Sequence, residues 1–121
     1  MLSYKAFGAG LPGLVVQAIS QDVATAISAA GTTQGTATEL TAHVNVVSTV
    51  ASGAGVILYS KSVPVDSQVI FNAGANELIV YPVSSAKINS LPVNTGVILP
   101  TNTAMEVIMV STTQHIAILS R

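Results

Sequence analysis

With 121 residues, half of them hydrophobic but only 4% aromatic and 7% charged, the chain is sized for one domain with a core of Val, Ile, Leu and Ala, whereas an ordinary soluble domain is about 25% charged. A net charge of −1, with Lys5, Lys61, Lys87 and Arg121 as the whole cationic set, leaves no basis for electrostatic capture of nucleic acid or an anionic membrane. The absence of cysteine excludes disulfides, thiolate metal sites and cysteine nucleophiles.

The charge deficit has two readings. Either Ser, Thr, Asn and Gln tile the surface, or neighbouring subunits cover much of it, and the depletion of charge at interface cores favours the second.

Residues 1–13 carry Gly8, Gly10, Pro12 and Gly13, which exclude regular helix and central strand. A frayed terminus is the plain reading. The sharper expectation is an arm whose Tyr4, Phe7, Leu11 and Leu14 lie in a partner's groove, because a solvated tail has little reason to be so apolar. No basic stretch followed by an unbroken apolar run opens the chain, so export by the general secretory route is not expected.

Over residues 14–30, Val16, Ile19, Val23, Ala26 and Ile27 recur at helical spacing and Gly31 follows as a stop signal, predicting a short amphipathic helix. Gly31-Thr32-Thr33-Gln34-Gly35-Thr36 reads as a linker. Arm, helix and linker therefore make one unit, residues 1–37, ahead of a second, residues 38–121.

In the second unit the period changes to two. Leu40, Ala42, Val44 and Val46 alternate with polar residues, as in a half-buried strand. Short runs of strand character follow at 55–59, 68–72, 77–81, 95–99, 105–110 and 115–119, separated by turn residues. Seven such strands predict a mainly β fold, a compact antiparallel β-sandwich or barrel. Asn72-Ala73-Gly74-Ala75-Asn76 reads as its clearest hairpin. The uncharged run at 40–60 is broken by His43, Asn45, Ser48, Ser52, Gly53 and Gly55, so no membrane helix is expected.

Chemistry has little to work with. His43 and Glu39 share the polar face of one strand, but residues four apart along a strand sit about 13 Å apart. His115 has no acid near it in sequence, no Gly-x-Ser-x-Gly elbow supports a triad with Asp22 or Asp66, and Glu77 and Glu106 read as solvated strand residues. No metal-ligand spacing occurs, and the Gly-x-Gly-x-x-Gly of Gly8, Gly10 and Gly13 has no preceding strand to make it a dinucleotide fingerprint. The expectation is a non-enzyme with no cofactor and no metal.

The stretch from Phe71 through Asn72-Ala73-Gly74-Ala75-Asn76 to Leu78-Ile79-Val80-Tyr81-Pro82, followed by Ile88-Asn89-Ser90-Leu91, resembles a segment of small structural proteins of tailed bacteriophages. The similarity spans roughly residues 23–119 and is carried by turn and strand residues. It departs at Gln114-His115, where the family pattern tends to have an aromatic after the glutamine. The resemblance implies a virion protein of the capsid decoration, or cement, type: a homotrimer on the outer surface of the phage head that bridges major capsid proteins. A tail fibre or receptor-binding, tail-associated β domain is the alternative, made weaker by the chain's five aromatics.

Overall fold

A computed structural model describes residues 20–120. The expected arm, with Tyr4, Phe7, Leu11 and Leu14, lies outside the described residues.

Among the described residues ten strands follow one another: β1 (Ser20–Ser28), β2 (Thr38–Glu39), β3 (Ala42–Thr49), β4 (Gly55–Ile57), β5 (Ser67–Asn72), β6 (Leu78–Tyr81), β7 (Lys87–Ile88), β8 (Val97–Leu99), β9 (Ala104–Ser111) and β10 (Gln114–Leu119). From β1 to β9 the chain changes sheet at every step. The larger sheet has the order β1-β3-β5-β9-β10-β7 and the smaller β2-β4-β6-β8.

This alternation makes successive strands of one sheet parallel, since each returns after a circuit through the other. Val44 of β3 sits beside Val69 of β5, and Gly55 of β4 beside Ile79 of β6. A circuit takes about 20–25 residues, within the repeat length of stacked solenoid architectures. The winding then stops, and the chain returns antiparallel as β8 on β6 and β9 on β5, with β10 folding back on β9. The fold is thus mainly β, two sheets in a solenoid-like arrangement closed by antiparallel strands.

Two expectations are corrected. The antiparallel sandwich or barrel gives way to parallel pairing of β1/β3, β3/β5, β2/β4, β4/β6 and β7/β10. The Asn72–Asn76 turn is the local reason, because it carries the chain from β5 in one sheet to β6 in the other and does not fold it into a hairpin. The helix is also replaced over its described part: residues 20–28 form β1, paired with β3. The helical spacing of Val23 and Ile27 is accommodated by bulges, with register shifts along β1 and Ala26 at φ 59, so that Val23 is exposed while Ile27 packs on the core. Tertiary pairing outweighs a weak local preference here.

The stretch expected as a linker is folded against the rest. Gln34–Thr36 make one 3₁₀ turn, the Gln34 side chain donates to Pro82 O at 2.9 Å, and Gly31 (φ 75) brings its Cα hard against Thr36, where a Cβ would collide with backbone.

Between the sheets lie Leu40, Val47, Val56, Leu58, Ile70, Leu78, Val80, Leu99, Met105 and Val107, all 2% exposed or less. Among the described residues no aromatic side chain joins this cluster, and methionines fill the irregular space.

Candidate interaction surface

The six-stranded sheet carries apolar side chains on both faces, and polar ones interrupt the buried face. Along β5, the buried residues are Gln68, Ile70 and Asn72, whereas Val69 and Phe71 point outward and stay half-buried. On β3 the inward positions are Asn45 and Val47, and the outward ones Val44 and Val46. The sequence alternation therefore finds the strand but assigns Val44 and Val46 to the wrong side.

Polar residues can point inward because backbone groups at the strand ends need them. Gln68 Nε2 donates to Leu40 O and Ala42 O, both at 3.0 Å, and its Oε1 accepts from Tyr59 N at 3.0 Å. Asn72 Nδ2 donates to Asn76 O and Leu99 O at 2.9 Å, and its Oδ1 accepts from Gly74 N at 2.9 Å. These side chains tie the inter-sheet crossings together, and every polar atom on them is satisfied. Gly74 is held so close to Val50 that a Cβ would approach Val50 to 2.6 Å.

Outward, neighbouring strands line up an apolar surface. Val23, Val44, Val69, Glu106 and Ile118 form one row across five strands, Ser67, Ile108 and Ile116 a second, and Val46, Phe71 and Ala104 a third. Val23 is 60% exposed and Ile118 58%, so this surface meets solvent. Glu106 is the carboxylate in the first of these rows. At the far edge Ile88 of β7 is buried in the core while Lys87 is exposed, which places Lys87 on the same outward face beside Gln114.

The outer face of the smaller sheet is built differently. There Tyr81 lies over Gly55 and Gly96, whose Cβ atoms would meet its ring, and its hydroxyl donates to Thr32 O at 3.2 Å. The aromatic covers the backbone left bare by the glycines.

The groups singled out for chemistry are not gathered. Glu39 accepts from Ser60 N at 2.8 Å, and His43 Nδ1 donates to Ser67 O at 3.0 Å. His115 is buried on the core side of β10, its Nε2 without a partner, and burial lowers its pKa below the ordinary 6.5. Asp66 and Gln68 line the same small cavity as His115, but the Asp66 carboxylate accepts from Val63 N at 2.9 Å and Gln68 is fully engaged. Among the described residues no three His, Cys, Asp or Glu side chains group as a metal site, and no helix is long and apolar enough to cross a membrane.

Comparison with family models, with curated proteins and with solved structures gives no match for this chain.

Proposed function

We propose that the chain is a virion structural protein of the capsid decoration type, which self-associates and stabilises an assembled phage head by bridging major capsid proteins. The observation that carries this reading is the apolar outer face of the six-stranded sheet, where Val44, Val46, Val69 and Phe71 point away from the core. Such a surface is costly in water and favourable in an assembly. The phage-like segment at residues 71–91 supplies the context, and a trimer is the state that the resemblance implies. Binding only the assembled lattice would stabilise it by mass action.

In this reading Tyr4, Phe7, Leu11 and Leu14 contact the neighbouring capsid proteins. Deleting residues 1–13 is then expected to abolish capsid binding while the sheets still form, and undiminished binding would remove the arm from the account. A tail-associated role is the second reading, favoured by the parallel winding, which suits elongated repeats.

Cryo-electron microscopy of the particle that carries this chain separates the two. Density on the outer head, bridging capsid subunits, is expected. Density confined to the tail selects the second reading, and a particle lacking the chain defeats both.

A further inference from the structure

We propose that His115 and the turn at residues 63–66 form an acid-released latch, in which proton uptake by the buried imidazole draws the Asp66 carboxylate out of the turn and loosens the turn from the end of β9. The inference uses the fold alone and stands without the functional reading above.

The turn is strained. Val65, next to Pro64, sits at φ 75, a conformation that β-branched residues rarely adopt, and at 86% exposed its side chain gains little from packing. Hydrogen bonds hold it there instead. Asp66 N donates to Val63 O at 3.0 Å, Val65 N to Met109 O at 2.8 Å and Met109 N to Asp66 O at 2.9 Å, while Asp66 Oδ2 accepts from Val63 N at 2.9 Å. The last of these is the bond that a nearby positive charge competes for.

His115 supplies that charge. It is 2% exposed, its Nε2 has no partner among the described residues, and it stands opposite Met109 between β10 and β9. His115, Asp66, Ser62, Ser67 and Gln68 line one cavity of about 10 Å³, room for about one water. One water does not solvate an imidazolium, and a buried cation left without a partner is costly. Asp66 brings the carboxylate of that cavity. The ionisable groups on the surrounding elements are otherwise placed: Glu39 accepts from Ser60 N, His43 bonds Ser67 O, Tyr59 is a phenol, and Lys61, Lys87 and Glu106 are exposed.

Linkage sets the direction. Burial holds the imidazole pKa of the latched chain below 6.5, and release returns it toward that value, so the released form binds the proton more tightly. The released population therefore grows as the pH falls from about 6.5 toward the lowered value, by up to about tenfold per pH unit for one proton.

Amide hydrogen exchange of the full chain, followed by NMR, reads the latch. From about pH 7.5 to about pH 5, the protection factors of the Val63, Val65 and Met109 amides should fall about tenfold or more, while the amides that pair β3 with β5 keep theirs. His115→Gln, which stays polar but takes no proton, should hold the profile flat. Asp66→Asn still offers an oxygen to Val63 N but no charge, and should shrink the fall and move it to lower pH. His43→Gln should leave it as in the unaltered chain. Where His115→Gln loses its strands, Asp66→Asn and His43→Gln carry the test.

Flat protection across the range in the unaltered chain overturns the latch. So does a fall that survives His115→Gln, that is unchanged in Asp66→Asn, or that disappears with His43→Gln. An equal fall in every strand overturns it too, since that is unfolding of the whole chain.

Discussion

The inner and outer faces of the six-stranded sheet use the same strands for opposite purposes. Inside, Asn45, Gln68, Asn72 and His115 are buried beside Ile70 and Met105; Gln68 and Asn72 bond backbone groups where the chain crosses between sheets, and Asn45 donates to Ala42 O and Val69 O. Outside, valine, isoleucine and phenylalanine stand half-exposed with Glu106 among them. A parallel winding creates this contrast: each crossing leaves backbone groups that a tight hairpin would have paired, so polar side chains are drawn in to meet them. The apolar positions on the other face, Val44, Val46, Val69 and Phe71, are left half-buried and point away from the core.

If the inner face alone holds the fold, substitutions there should be the most damaging. Ile70→Ala, removing a side chain fully buried between the sheets, is expected to cost about 2–5 kcal/mol in urea unfolding. Asn72→Ala breaks three hydrogen bonds and strands buried Leu99 O, for about 2–3 kcal/mol. A loss under about 0.5 kcal/mol, the size of an ordinary surface change, would refute the tie between the sheets.

The outer face should behave in the opposite way. Phe71→Ser is expected to change unfolding by about 1 kcal/mol or less when measured dilute, as for a partly exposed side chain, while weakening self-association measurably. Equal loss in both assays would erase the distinction between the faces.

His115 sharpens the comparison through pH. Because burial lowers its pKa in the folded chain, the unfolded state binds the proton more readily. Its contribution is therefore complete above about pH 6.5 and declines as the pH falls from there toward the lowered folded value. The melting temperature should fall on acidification over that range, and His115→Leu should flatten this part of the profile. An unchanged slope would assign it to other groups.

Strand positions were legible in the sequence because β-branched residues and turn residues alternate clearly. The runs at 68–72 and 105–110 coincide with β5 and β9 within a residue or so. Pairing direction was not legible, since the Asn72–Asn76 turn has the same composition whether it folds a strand back or passes it to another sheet. Nor was the inward side of β3, because Leu40, Ala42, Val44 and Val46 alternate regularly and nothing in the sequence announces that Asn45 will donate to Ala42 O and Val69 O. The expected helix failed where β1 gained a partner in β3. Charge shortage did point to a covered surface, but the rows that compose it required the register.

The place of β9 in the larger sheet carries a kinetic consequence. Its neighbour β5 emerges during synthesis well before it, and until β9 arrives the β5 edge, Ser67–Asn72, lacks its antiparallel partner. Exposed strand edges of this kind template pairing with other chains, and distant pairings close slowly. Aggregation during production should therefore concentrate in the interval before residues 104–111 leave the ribosome, and slower translation just upstream of them would lengthen that exposure.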